Sequence, residues 1–381
     1  MGVLLEANLR KVRFLFLSTG LYLACFLLYG VPSSMKLLEQ GMAAFEVGLY
    51  GIAAKNFSEI SYNYPSDPTV VTASFLEALS LYYAEDATAV DGFRDHFQRY
   101  SNSPYRDQLW YWIGMGELLN DNKEAGLNAL DQYLNEATVD SSYYLYANDA
   151  KARVLEQLYR YKEALFIYKK LLTTKNFKIG SLSPDATVHW LDRSGALSLK
   201  IGLFQEAEQY YRTILVNHSS SEKVKDTLFW IGESAYWGGK LLDAAERFQR
   251  YIETFPDGFY QKTAIFRLSR ISLETEDLDK ANHYLNLLKT KLESFQDNNT
   301  IMGFESDETA LLVLEVDIYI KEHRWIEVVN IYNKEFGIIN EKRTRQLLQN
   351  KFGVALKQTG NITEAINIFR EAETGPDINL R

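Results

Sequence analysis

A short phrase recurs along the chain at intervals of about 37 residues. In its clean copies a glycine is followed five residues later by an alanine and nine residues later by an aromatic residue, as in Gly239, Ala244 and Phe248. Alanine, or valine in one copy, recurs at positions 53, 89, 125, 164, 207, 244, 281, 328 and 365. A repeat of this length favours an array in which each unit buries its apolar face against its neighbours.

The segments around each copy carry a helical pattern. Apolar residues recur at intervals of three and four, as in Leu228, Ile231 and Ala235, and this spacing is typical of one buried helix face. We therefore expect each repeat to consist of two antiparallel helices joined by a short turn. Glycine suits the turn because it accepts a positive φ, and alanine suits the crossing because it lets the two helices approach closely.

The sixth copy is the most complete. Its diagnostic positions are Leu228, Ile231, Gly232, Ala235, Ala244, Phe248, Tyr251 and Pro256. With these residues the chain resembles the tetratricopeptide repeat (TPR) family over about residues 35–375, although Glu276 and Val328 depart from the family pattern. The resemblance implies an all-α, right-handed superhelical solenoid of about nine helix-turn-helix repeats that binds other proteins and is not an enzyme.

Two polar interruptions divide the predicted array. Thr173–Ala186 and Thr290–Glu308 break the period, which predicts either long inter-helix loops or hinges between blocks of repeats. The predicted repeat blocks are residues 35–172, 187–289 and 309–373. The tail Thr374–Arg381 is expected to be frayed.

An apolar segment precedes the repeats. A basic segment, residues 1–13 with Arg10, Lys11 and Arg13, leads into the uncharged residues 14–31. As a helix this segment would extend about 27 Å, close to the ~30 Å hydrocarbon core of a bilayer. The flanking positive charges then predict a transmembrane signal anchor with the repeats outside the cytoplasm, in the periplasm of a bacterium.

Three alternatives for this segment remain open. It could be a signal peptide cleaved near Val31–Ser34, where small residues occur. It could be a lipoprotein signal with lipidation at Cys25, although the apolar run continues beyond that cysteine. It could also be a buried core helix, but no polar face interrupts it.

Composition excludes several classes of function. With 41 basic and 50 acidic side chains the net charge is −9, so the basic footprint of a nucleic-acid-binding protein is missing. One cysteine and five scattered histidines provide no ligand spacing for a metal. We find no nucleophile–base pair and no phosphate-binding loop, and we therefore expect no catalytic site, cofactor, metal site or small-molecule substrate.

The resemblance also implies a binding surface, because the first helix of each TPR pair lines a concave groove. Projected onto this chain, the groove would be lined by Tyr146, Asp149, Arg153, His189, Asp192, Phe229, Glu233, Tyr236, Trp237, Arg270 and Glu274. Aromatic residues mixed with both signs of charge suit a peptide or a partner helix. Alternatively, the aromatic residues pack against the next repeat and the charges are merely solvated.

The second helices often end in an aromatic residue close to proline, as in Tyr64-Pro65 and Phe255-Pro256, which is similar in style to extracytoplasmic envelope TPR adaptors. We therefore predict a membrane-anchored scaffold or adaptor in a cell-envelope assembly. Candidate assemblies are outer-membrane protein insertion, a division or wall-synthesis complex, and the periplasmic part of a flagellar motor or secretion machine. Alternatives are a chaperone-like binder of secreted clients and a regulatory subunit of a cell-wall enzyme.

Overall fold

The computed structural model describes residues 33–174, 184–294, 299–339 and 342–373, and all regular secondary structure in these ranges is helical. They contain eighteen α-helices in nine consecutive pairs, as many pairs as the sequence has repeat copies. The helices are α1 Ser33–Glu46, α2 Tyr50–Asn63, α3 Thr69–Tyr83, α4 Ala89–Arg99, α5 Arg106–Leu119, α6 Lys123–Glu136, α7 Tyr144–Gln157, α8 Tyr161–Thr173, α9 Pro184–Lys200, α10 Phe204–Asn217, α11 Val224–Trp237, α12 Leu241–Thr254, α13 Gln261–Glu274, α14 Leu278–Ser294, α15 Asp307–Lys321, α16 Trp325–Glu335, α17 Lys342–Gln358 and α18 Ile362–Glu373. A short 3₁₀ helix, Phe336–Ile338, follows α16. The all-α prediction is confirmed.

The chain divides into two compact units, Met1–Leu197 (unit 1) and Ser198–Arg381 (unit 2). This division falls inside α9, whereas the predicted repeat blocks are separated at the two interruptions of the period. Inside each unit, some first helices of neighbouring repeats contact each other. In unit 1 α3 contacts both α1 and α5, and in unit 2 α15 contacts both α13 and α17. First helices therefore form a continuous surface over several repeats of each unit.

One residue in the turn of every helix pair has a positive φ. These residues are Gly48, Glu85, Asp121, Tyr159, Gly202, Gly239, Glu276, His323 and Gly360. In the sixth pair the N–H of Gly239 donates to the carbonyl oxygen of Tyr236 (3.0 Å), and the N–H of Lys240 donates to that of Ala235 (2.9 Å). These bonds satisfy carbonyls that the helix end would otherwise leave unpaired. Glu276 adopts the same conformation (φ 60°), so the seventh repeat keeps its turn without glycine.

The repeated small residue is buried at the crossing of each pair. Ala53, Ala244 and Val328 have no exposed surface. The predicted position is wrong in the third repeat, where Ala125 is only half-buried and the next residue, Gly126, is buried. Gly126 lies five residues after the turn residue Asp121, and a Cβ atom there would come within 2.4 Å of a Leu118 methyl carbon. The small residue at the contact between α5 and α6 is therefore Gly126 and not the neighbouring Ala125.

A larger side chain at such a crossing should be costly. Ala244→Leu adds three heavy atoms to a fully buried position, and we expect it to reduce the free energy of unfolding by about 1–3 kcal/mol. The matched change Ala43→Leu, at an exposed helix position, should alter it by no more than about 0.5 kcal/mol. Urea unfolding monitored by circular dichroism measures both. Equal costs would show that Ala244 does not lie at a tight crossing.

The second polar segment that interrupts the repeat period is described over residues 299–306. These residues pack against helices of unit 2. Ile301 is fully buried, and the ring of Phe304 meets that of Phe266 edge-on at 5.3 Å. Asp307 fixes this segment, because its Oδ1 accepts the N–H of Ile301 (2.7 Å) and its Oδ2 lies 2.8 Å from Nζ of the buried Lys262. These contacts make residues 299–306 a packed connection between α14 and α15.

Several predicted segments lie outside the described residues. They are residues 1–32, which include Arg10, the proposed anchor 14–31 and Cys25, and also residues 175–183, 295–298 and the tail 374–381. Across the residues described above, no helix is both long enough and apolar enough to cross a bilayer.

Candidate partner-binding site

A buried carboxylate organises the first helices of the sixth and seventh repeats in unit 2. Glu233 on α11 exposes 1% of its side chain. The guanidinium of Arg267 on α13 donates to both of its oxygens, from Nε at 2.6 Å and from Nη2 at 3.2 Å. The indole N–H of Trp237 donates to the second oxygen at 3.0 Å. One carboxylate thus fixes a cation and an indole from two neighbouring helices, and burial strengthens these charge-assisted bonds.

Two aromatic rings lie against the same guanidinium. Its carbon is 5.1 Å from the ring centre of Tyr236 and 5.4 Å from that of Trp237, within the range of cation–π attraction. The two rings meet edge-on at 5.4 Å, and the Tyr236 hydroxyl donates to the exposed Glu274 at 3.1 Å. Trp237 is 52% exposed. We call Tyr236, Trp237 and Arg267 the aromatic platform.

Electrostatics keep the Tyr236 hydroxyl protonated. Burial raises the pKa of Tyr236, and the negative charge of Glu274 raises it further, against the opposing effects of Arg267 and Arg270. The hydroxyl therefore remains a hydrogen-bond donor at neutral pH, and the ring keeps its position next to Glu274.

Next to the platform, one aspartate joins the first helices of three successive repeats through ion pairs. Asp317 on α15 accepts from both Arg270 on α13 and Lys351 on α17. Glu233, Arg270 and Asp317 each lie six residues before the positive-φ residue of their turn, so they occupy equivalent positions in successive repeats. The predicted site residue Arg270 is thus engaged with a neighbouring repeat, with about a third of its side chain exposed (31%).

One predicted groove residue lies in the core instead. Phe229 has no exposed surface, stacks on Tyr260 with ring centres 4.3 Å apart, and also contacts the rings of Phe248 and Tyr251. Its side chain faces α12 and the start of α13, so the prediction that Phe229 lines the groove is wrong. Glu233 is also buried, and it positions Trp237 and Arg267 rather than meeting a partner itself.

The predicted residues of unit 1 surround a second buried carboxylate. Asp149 accepts the indole N–H of Trp190 at 2.8 Å and lies 3.1 Å from Nε of Arg153. His189 Nε2 is 3.9 Å from the same carboxylate, and burial lowers the pKa of His189. Asp149 is therefore occupied by its neighbours. Tyr146, Arg153, His189 and Asp192 remain at least partly accessible.

Four residues of these networks are absent from the predicted groove: Trp190, Arg267, Asp317 and Lys351. A signal for Asp317 was available, because it occupies the repeat position of Glu233 and Arg270 and continues their alternation of charge. Arg267 lies outside the positions assigned to the groove, and only the structure shows that it reaches Glu233 from the next helix. In the part of the chain that the structure describes, no three or more histidine, cysteine, aspartate or glutamate side chains are grouped to hold a metal ion.

Comparison with known proteins gives a family match for one of the repeats. Residues 226–258, which hold most of the aromatic platform, match the tetratricopeptide repeat family model TPR_6. No curated protein matches the chain.

Solved structures resemble the fold at low sequence identity. The apo form of RapI has 12% identity and a TM-score of 0.50, with 87% of this chain and 99% of RapI covered. The apo quorum sensor NprR from B. thuringiensis has 14% identity and a TM-score of 0.46, with 88% and 97% covered. A tetratricopeptide repeat protein from Parabacteroides merdae has 14% identity and a TM-score of 0.45, with 73% and 97% covered. At these identities the likeness concerns the fold alone. The nine helix pairs of the described residues, the left-handed turn in each pair and the match at residues 226–258 support a tetratricopeptide-like repeat fold.

Proposed function

We propose that the protein is a non-catalytic scaffold that binds a partner protein on the aromatic platform of unit 2. The proposal rests on the surroundings of Trp237. Half of its surface is exposed, and its indole N–H donates to the buried carboxylate of Glu233. Exposed tryptophan is costly to keep in water, and here its geometry is already set before any partner arrives.

The chemistry of the platform suits protein recognition. Tryptophan and tyrosine are among the residues that most often dominate the energy of protein interfaces, and the platform presents one of each over the buried Arg267. Because Arg267 lies against both rings and Glu233 fixes the indole, the two rings would lose little side-chain entropy when a partner binds. An apolar or aromatic side chain of a peptide or helix could stack on Trp237, while the exposed carboxylate of Glu274 receives a donor at the rim.

Removal of Trp237 should separate binding from folding. Once a partner has been recovered by crosslinking and identified by mass spectrometry, we expect Trp237→Ala to weaken its binding by about 2 kcal/mol or more, near thirtyfold. The same change should reduce folding stability by only about 1 kcal/mol, because half of the ring is already exposed. Titration calorimetry with the purified partner measures the affinity.

The matched control is Leu242→Ala, which removes an apolar side chain that is 79% exposed on the neighbouring helix α12. This variant should bind the partner as the unmodified protein does. If Trp237→Ala retains full affinity, the partner binds elsewhere and the platform is not the binding site.

We further propose that the scaffold works in a cell-envelope assembly, held to the membrane by residues 14–31 with the repeats outside the cytoplasm. The support comes from the sequence, namely the basic residues Arg10, Lys11 and Arg13 before an uncharged apolar run. Outer-membrane protein insertion, division or wall synthesis, and the periplasmic part of a flagellar or secretion machine are the assemblies to test first.

The topology of a fusion protein tests this placement. A reporter that is active only outside the cytoplasm, joined after Arg381, should be active, and a cytoplasmic reporter at the same place should be inactive. Replacement of Arg10, Lys11 and Arg13 by glutamate should reduce the signal of the external reporter. An active cytoplasmic reporter on the unmodified chain would exclude the envelope placement, while the platform proposal would stand.

A further inference from the structure

We propose that the edge of unit 1 at which the chain enters α1 lies against the surface of a lipid bilayer, with Tyr62 among the headgroups. This edge consists of the first turn of α1, residues 33–36, and of residues 62–68, which end α2 and lead to α3. We call it the entry edge. The inference rests on the proposed membrane anchor at residues 14–31, and it adds which part of the repeats meets the lipid and through which side chain.

The covalent chain limits the distance between the entry edge and the proposed anchor. Two peptide units separate residue 31 from Ser33, and successive Cα atoms are about 3.8 Å apart, so these two Cα atoms lie no more than about 8 Å apart. The headgroup region on each side of the hydrocarbon core is roughly 5–8 Å thick. If the membrane-spanning run ends at residue 31, α1 therefore begins at the level of the headgroups.

Hydrogen bonds hold residues 62–68 beside the start of α1. The hydroxyl of the buried Ser34 donates to Oδ2 of Asp67 at 2.9 Å, and the N–H of Asp67 donates to the carbonyl oxygen of Tyr64 at 3.0 Å. Oδ1 of Asp67 accepts from both the N–H and the hydroxyl of Thr69, at 2.9 and 2.7 Å. The connection between α2 and α3 is thus fixed to the first turn of α1, and a membrane that holds one also meets the other.

The exposed side chains of the entry edge suit lipid headgroups. Tyr62 is 86% exposed, more than any other large apolar side chain of the residues that the structure describes. Tyrosine is enriched at membrane–water interfaces, where its ring is apolar and its hydroxyl reaches water or a headgroup. Pro65 and Lys36 are also exposed, and a lysine at this level attracts lipid phosphates.

The charges of the entry edge permit this contact although the whole chain has a net charge of −9. The edge carries two charged side chains, Lys36 and Asp67, and the carboxylate of Asp67 is engaged by the hydrogen bonds described above. The nearest carboxylates along the two helices belong to Glu39 and Glu59. They lie six residues after the start of α1 and four residues before the end of α2, which is about 9 and 6 Å away from the edge.

The opposite edge of the same repeat provides a comparison. The 14 residues of α1 rise by about 20 Å, so the turn that follows α1 lies at the far end of the repeat from the entry edge. Val47, Leu49 and Ile52 are more than half exposed there. Both ends of the first repeat therefore expose apolar side chains, but the chain outside the described residues adjoins only the end that carries Tyr62.

Fluorescence quenching by lipid tests the position of the entry edge. The full-length chain would carry Cys25→Ala, with Ser66→Cys or Val47→Cys as the single site of a polarity-sensitive fluorophore. It would be reconstituted into vesicles of phosphatidylethanolamine and phosphatidylglycerol that contain a headgroup spin label, and the vesicles would be purified by flotation. We expect quenching about threefold stronger at position 66 than at position 47, because only the first lies at the proposed bilayer surface.

Substitution of the tyrosine tests its own part. Tyr62→Ser in the Ser66→Cys chain should reduce the quenching about twofold, and Tyr62→Trp should retain it, since tryptophan also prefers the interface. Neither change should alter the circular dichroism or the melting temperature, because position 62 is exposed.

The outcomes separate this inference from the proposed anchor. A chain that floats with the vesicles but is quenched equally, or not at all, at positions 66 and 47 keeps its anchor and overturns the inference. Unchanged quenching in Tyr62→Ser overturns the role of the tyrosine. A chain that does not float with the vesicles contradicts the proposed anchor, and the inference is overturned with it.

Discussion

Replacement of Phe229 by alanine should reduce the free energy of unfolding of unit 2 by about 3–5 kcal/mol. The phenylalanine ring is fully buried between Tyr260, Phe248 and Tyr251, so its removal leaves a cavity that the surrounding rings cannot fill. Urea unfolding followed by circular dichroism measures the loss.

The contrast with Trp237 makes this experiment decisive. The two residues are on the same helix, but Trp237 is half exposed and Phe229 is not exposed at all. Trp237→Ala should therefore cost a small part of what Phe229→Ala costs in stability, while it has the larger effect on partner binding. Similar losses of stability for the two variants would contradict the assignment of one residue to the core and the other to the surface.

Loss of the Glu233 carboxylate should be about as damaging as loss of the Phe229 ring. Glu233→Ala leaves the guanidinium of Arg267 buried without its counter-charge, and breaking a buried pair in this way costs about 3–5 kcal/mol. It also removes the acceptor of the Trp237 indole N–H. We therefore expect a lower melting temperature together with a change in tryptophan fluorescence.

A double-mutant cycle identifies the cause. If the penalty arises from an unpaired buried charge, the double variant Glu233→Ala with Arg267→Ala should be more stable than the sum of the two single losses predicts. Glu274→Ala, which removes an exposed carboxylate one repeat further on, should change stability by about 0.5 kcal/mol or less. Additive losses for Glu233 and Arg267 would show that the two side chains are not coupled.

The repeat period located all nine helix pairs because close packing of each pair constrains the sequence directly. A small residue must lie at the crossing, and a residue of positive φ must lie five positions before it in most pairs. The repeat pattern is ambiguous where two small residues adjoin, as at Ala125 and Gly126, since sequence alone does not show which one faces the neighbouring helix.

The binding surface was harder to predict because it depends on the rotation of each helix by a fraction of a turn. Phe229 and Glu233 are one turn apart and the sequence predicts both in the groove, yet Phe229 faces the core and Glu233 is buried against Arg267. Arg267 belongs to the next repeat, and its reach toward Glu233 is a tertiary contact that no local pattern contains. Tyr236 and Trp237, which the same projection of the repeats onto the family's groove predicts, are half-buried and exposed, respectively.

The left-handed turns also bear on how the chain folds. Each turn joins two helices that pack against each other over a short stretch of sequence, so many native contacts link residues that are close along the chain. Chains with such local contacts lose little entropy when the contacts form, and they fold quickly. Because a single helix pair buries its apolar face only against a neighbouring pair, we expect order to spread from a few stacked pairs to each adjoining pair in turn.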